Sequence, residues 1–151
     1  MTNEQKEFFM KEALKEAQKA GAKGEVPIGA VVVYQGQIIG RGHNLRETSH
    51  DSLAHAEVLA IRQANQVLQS WRLSECQLFV TLEPCPMCSG AILNSRIAQV
   101  YYGASDLKAG VCGTLMNLLD DPRLNHQAYI EKGILQTQCL NLLQDFFQGL
   151  R

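Results

Sequence analysis

The 151-residue chain contains no long apolar run. Its longest, Ile28 to Tyr34, falls far short of the ~20 residues a membrane-spanning helix needs. The sequence also has no excess of charge of either sign. A formal net charge of −1 gives no support for broad adherence to nucleic acid, so any RNA contact has to come from a local patch. No apolar h-region stands near the start, because Met1 to Ala20 is a charged amphipathic segment; no signal peptide is expected. Repeats, low-complexity tracts and linkers are missing as well, so the expectation is a single domain over residues 1–151.

Cysteine is present but lacks a disulfide pattern. Five residues at scattered spacings do not build a framework of bridges, and a reducing cytoplasm fits them better. Cys76, Cys112 and Cys139 read as small buried apolar residues. A hydrophobic content of 46% with 19% charged residues is that of a soluble globular protein with a sizeable core.

The periodicities alternate between helix and strand. Glu4 to Ala20 carries an apolar stripe (Met10, Ala13, Leu14, Ala17, Ala20) and ends at Gly21 and Gly24. Val26 to Tyr34 and Gln37 to Gly42 flank the turn Gln35-Gly36 as a hairpin. A helix over 54–69 follows, with Val58, Ile61, Ala64 and Leu68 on its apolar face. Then come a strand at 76–82, a helix at 86–94 and a strand at 97–103. The end of the chain reads as a short helix near 115–119, a strand at 128–131 and a last helix at 134–149. Strands alternating with helices imply a layered α/β fold in which some strands run parallel. Leu135, Cys139, Leu142, Leu143, Phe146, Phe147 and Leu150 give the last helix a wide stripe. Core packing is its simplest meaning; a partner surface or a place near a substrate is the other.

The densest chemistry lies in His55-Ala56-Glu57 and Pro84-Cys85-Pro86-Met87-Cys88. Pro86 suits the first turn of a helix, so Cys85 and Cys88 should stand on one face at a helix N-terminus. There the helix dipole and free amides favour the thiolate that a metal requires. His55 stands at the start of a second predicted helix, over 54–69. One imidazole and two thiolates can hold zinc with a fourth position open, the arrangement of a catalytic rather than a structural site. Glu57, two residues beyond His55, points to another side of the helix. It is better placed to move protons than to ligate, as is required beside a cation that lowers the pKa of water to roughly 7. Two other readings stand beside this one. A lone C-x-x-C can be a redox motif. A closed structural zinc site would take its fourth ligand from Cys76, Cys112, Cys139, His43, His50 or His126, none of them at paired spacing.

Beyond these two motifs, the stretches Gly24 to Val31, Gly42-His43-Asn44, Thr81 to Cys88, Tyr102 to Gly110, Gly113 to Leu119, Asn125-His126 and Phe146 to Arg151 can be compared with known families. With them the chain resembles the cytidine deaminase superfamily, whose zinc signature is H-x-E…P-C-x-x-C, and within it the bacterial deaminases that act on tRNA adenosine. The resemblance implies a three-layer cytidine-deaminase-like fold with a central mixed five-stranded sheet flanked by helices. It implies one zinc per subunit on His55, Cys85 and Cys88, with Glu57 as proton shuttle. It also implies a homodimer that converts the wobble adenosine of a tRNA anticodon loop to inosine.

Asn44 would then hydrogen-bond the purine, although by itself it also reads as a turn residue after a strand. Asp106 and Lys108 would lie along the RNA, although taken alone both are ordinary loop charges. Pro86 also occurs in guanine deaminases of the superfamily, and Thr114 stands where serine is more usual. A small-molecule deaminase of guanine, cytosine or a nucleoside is the alternative within the class. A zinc-stabilised RNA- or partner-binding module without catalysis is the alternative outside it.

Overall fold

A computed structural model describes residues 1–150. Helix α1 (Asn3–Ala22) starts at Thr2, whose side chain accepts from the Gln5 amide while Gln5 reaches back to the Thr2 amide. This reciprocal box satisfies two of the amides that every helix start leaves free. The hairpin follows as β1 (Gly29–Tyr34) and β2 (Gln37–His43), and then α2 (Ala56–Leu68), β3 (Cys76–Leu82), α3 (Pro86–Ser95) and β4 (Gln99–Ala104). A 3-10 turn at Leu118–Asp120, β5 (Tyr129–Lys132) and α4 (Gln136–Gln148) complete the described residues. Val26, expected in the first strand, lies outside it, and the short helix expected near 115–119 is the 3-10 turn. Arg151, part of the final motif, lies outside the described residues.

The five strands form one sheet in the order β2-β1-β3-β4-β5. β1 runs antiparallel to both β2 and β3, whereas β3, β4 and β5 are parallel. The parallel β3–β4 pair requires a crossover, and α3 supplies it. One face of the sheet packs Val32, Leu78, Val80 and Val100 against Ala56, Ala60 and Ala64 of α2 and Ile92 of α3. The other packs Val31, Val33, Phe79 and Tyr101 against Met10 and Ala13 of α1 and Cys139 and Leu143 of α4. The result is the three-layer mixed sheet that the resemblance implied.

Close approach of α2 to β2 depends on missing side chains. A Cβ at Gly42 would overlap the Ala56 carbonyl, and one at Gly40 the Ala60 carbonyl. With alanines opposite glycines, the helix lies directly on the strand, which brings its N-terminus beside the ends of β1 and β3. Among the described residues no helix is long and apolar enough to cross a membrane.

The last helix departs from its expected stripe. Cys139 and Leu143 are buried, but Phe147 is 49% exposed and Leu150 69%. α1 departs in the other direction, since Glu16 lies on its buried face. That carboxylate is matched by Lys19 at 2.8 Å, His43 at 3.1 Å and Arg41 at 3.5 Å. A buried charge of this kind is tolerated only when paired.

Candidate active site

Both predicted helix starts meet at one place. His55 is the N-cap residue of α2 and Cys85 that of α3, and neither side chain makes a capping hydrogen bond. An N-cap side chain that bonds its own helix is worth ~1 kcal/mol. Here the two side chains are turned outward, towards each other. His55 Nδ1 lies 3.7 Å from Cys85 Sγ and 3.5 Å from Cys88 Sγ, and the three donor atoms all lie within 4.8 Å of one another.

A tetrahedral zinc with bonds of about 2.0–2.1 Å to nitrogen and 2.3 Å to sulfur sets N···S edges of about 3.5–3.6 Å. The donor set therefore fits zinc in both chemistry and spacing. Pro86 occupies the first turn of α3, where its missing amide costs nothing, and Cys88 follows within that turn.

The electrostatics of the cluster suit a cation. A hydrogen bond from Cys88, followed by one from His55, holds the Cys85 thiol down to about 4. The same contact with Cys85, together with burial, pushes Cys88 upward. His55 is raised chiefly through its hydrogen bond to Cys85. Glu57 enters from the first turn of α2 and is only 4% exposed. Burial pushes its carboxyl up to about 7, so near neutral pH it can both accept and release a proton.

His55, Glu57 and Cys85 line a cavity of about 490 Å³, with Cys88 buried behind them. Asn44 lines it and is nearly buried. Its Oδ1 accepts from the Arg46 amide at 3.1 Å and its Nδ2 donates to the Val26 carbonyl at 3.3 Å. The turn role and the place at the cavity are thus both realised, and one amide hydrogen is left over for a ligand. Asp106 and Lys108 line the same cavity. Asp106 Oδ1 is engaged by the amides of Lys108 (3.0 Å) and Ala109 (3.1 Å), which shapes the loop that carries both residues.

Among the lining residues, Arg46 and Glu83 were given no role in the sequence reading, and Leu143 and Phe147 take the place near a substrate that was the second reading of their stripe. Arg46 had a signal, two positions after Asn44 on the way to His55. Phe147 belongs to the stripe of the last helix, part of which faces the cavity instead of the core.

The loop that leads to His55 is held by another buried acid. Glu25 accepts from the amides of Glu47 at 3.2 Å and Thr48 at 2.6 Å. Burial opposes its ionisation, yet these amides and the Thr48 hydroxyl together hold the carboxyl below its usual 4.5. A depressed carboxyl pKa contributes stability that is present above the unfolded value and is lost as pH falls through the folded one. The 44–54 loop is therefore expected to loosen first on acidification below pH 4.5. Amide exchange at Glu47 and Thr48, followed against pH, should rise there before exchange in the sheet. Simultaneous loss throughout would contradict this.

A mixed sheet that presents a histidine, two cysteines and a buried glutamate at converging helix starts is the architecture of a zinc-type deaminase. The model of the MafB19-like deaminase family matches residues 3–151, and the chain belongs to that family. More narrowly, it is 56% identical over 147 residues to the tRNA-specific adenosine deaminase of Bacillus subtilis (strain 168), an alignment covering 97% of this chain and 91% of that protein. A solved structure from work on A-to-I editing by tRNA:A34 deaminases superposes with a TM-score of 0.87 at 40% identity, over 90% of this chain and 99% of that one. A guanine deaminase from Nitrosomonas europaea superposes with a TM-score of 0.80 at 25% identity, over 93% of this chain and 83% of that one.

Proposed function

We infer that this protein is a hydrolytic tRNA adenosine deaminase that converts the wobble adenosine of an anticodon loop to inosine. The observation that carries the chemistry is Glu57 buried beside the His55–Cys85–Cys88 cluster on the wall of an open cavity. The choice of tRNA over a free base rests on 56% identity to a tRNA-specific enzyme against 25% to a guanine deaminase.

His55, Cys85 and Cys88 would hold the zinc, one per subunit. Zinc so bound supplies a Lewis acid that makes water nucleophilic near neutral pH. The protein's own groups do the rest. A base splayed from the anticodon loop costs little to extract. Asn44 holds its ring in the cavity through the free amide hydrogen. Glu57 takes a proton from the attacking water and gives it to N1, and the water oxygen adds to C6. Glu57 then carries the second proton to the amino group, the C6–N bond breaks, ammonia leaves and inosine remains.

Arg46 and Lys108, both exposed on the rim, provide the local basic character that the chain lacks as a whole and suit phosphate oxygens. Asp106 Oδ2 is the oxygen not engaged by the loop amides, and it is assigned to a ribose hydroxyl. The enzyme works as a cytoplasmic homodimer with tRNA as its partner, and the exposed neighbours Leu115 and Met116 offer apolar surface to a second copy.

The test is nucleoside mass spectrometry on zinc-loaded protein mixed with an anticodon stem-loop bearing wobble adenosine. Free adenosine, guanine and cytidine run in parallel. Inosine should form in the stem-loop reaction alone. Product from a free base or nucleoside only would keep the deaminase chemistry and replace the substrate.

A further inference from the structure

We propose that Glu83 is a positioning residue whose carboxylate sets the loop 105–114 that faces the RNA. The proposal rests on the tRNA reading for the identity of what the loop meets. Glu83 is 2% exposed and sits between the end of β3 and the Pro84-Cys85 turn. Among the described residues, no lysine, arginine or histidine forms an ion pair with it.

Four donors from one loop converge on this carboxylate instead. Oε1 accepts from the Asp106 amide at 3.1 Å and from the Thr114 hydroxyl. Oε2 accepts from the Cys112 amide at 2.9 Å and the Thr114 amide at 3.1 Å. A buried charge costs heavily unless donors surround it, and here the donors are the backbone of the loop itself. The carboxylate and the loop therefore hold each other in place.

The loop also rests on the adjoining segment, since the Val111 amide donates to the Pro84 carbonyl at 3.1 Å. Gly110 shows how close the fit is: a Cβ there would overlap the Glu83 carboxyl and approach the Asp106 carbonyl to 2.6 Å. Ser105, Asp106, Leu107 and Lys108 of the same loop line the cavity rim. One side chain thus ties the turn that carries Cys85 to the loop that lines the cavity. Glu83 does not act on the base; it fixes where the residues that meet the flanking nucleotides stand.

The experiment compares wild-type and Glu83→Gln protein, both zinc-loaded. Glutamine keeps the shape but offers one acceptor oxygen in place of two and turns an NH₂ towards donors. Amide exchange across 105–115 should quicken at least about tenfold with β3 and α1 unchanged, because the lost acceptor frees amides that have no other partner. Zinc should remain at one per chain. KM for the stem-loop should rise about tenfold while kcat falls less than threefold, the pattern of lost binding rather than lost chemistry. A merely structural role would raise exchange everywhere and leave no such split.

Loop exchange within twofold of wild type overturns the proposal, as does a loosened loop with unchanged KM. Should Glu83→Gln fail to fold, Thr114→Val removes one donor and leaves the carboxylate in place. It should move both readouts in the same direction, and no change in either overturns the proposal. Wild-type protein inert on the stem-loop would sink the tRNA assignment, whereas the exchange measurement decides Glu83's hold on the loop without any substrate.

Discussion

Glu57→Ala is expected to abolish inosine formation while zinc stays bound at one per chain. A single positioned acid/base is worth about 10²–10⁴-fold. Glu57 is asked to move a proton twice, once from water to N1 and once to the departing amine, so the loss should lie at the upper end of that range or beyond. Among the described residues, no other carboxyl is placed to substitute. Glu83 lines the cavity but is engaged by four loop donors, and Asp106 is held by loop amides. Nucleoside mass spectrometry with metal analysis of the same sample checks the outcome. A mutant retaining a tenth or more of wild-type turnover would show that Glu57 is not the shuttle.

Loss of a ligand is expected to be as severe by another route. Cys88→Ala should take zinc from one per chain to near zero and activity below detection, because two remaining side chains do not make a three-ligand site. Removal of zinc from wild-type protein by a chelator should do the same, and added zinc should restore turnover. A second readout needs no substrate. A metal that binds only the folded chain stabilises it by RT ln(1 + [L]/Kd), or about 2.7 kcal/mol at a hundredfold excess over Kd. For a chain of this size that corresponds to a rise in Tm of roughly 5–10 °C. The Cys88→Ala protein should show no such rise. Zinc-dependent stabilisation that persists in Cys88→Ala would place the metal elsewhere.

Much of this was legible in the sequence because it is local. Cys76–Leu82 shows as a run of strand formers ending at Pro84. The cysteine helix shows from Pro86 at its first position and two thiols three residues apart. The hairpin shows from Gln35-Gly36, and both of those residues adopt positive φ (49° and 76°). The last helix was only half legible. Its periodicity marks an apolar side but does not say what covers it, and Leu143 and Phe147 turn out to line the cavity.

Of the buried acids, only Glu57 was legible. Glu16, Glu25 and Glu83 carry nothing in their local spacing that marks them as buried and read as surface charges. Each is buried because its partners come from distant segments: Arg41 and His43 for Glu16, Glu47 and Thr48 for Glu25, and Asp106, Cys112 and Thr114 for Glu83.

By itself, then, the sequence determined the kinds of element, their order and the donor set of His55, Cys85 and Cys88 with Glu57 beside them. Those properties follow from side-chain period, proline chemistry and ligand type, all of which act over a few residues. Tertiary structure decided that α2 and α3 begin at the same point, and that Gly40 and Gly42 let α2 lie close enough for His55 to meet the two thiols. It also decided that two loops are drawn around the cavity by carboxylates from other parts of the chain. The physical reason is range. A hydrogen bond or a metal–ligand distance is set across 30 residues of separation or more only by how the sheet and helices pack, and spacing along the chain carries no record of that packing.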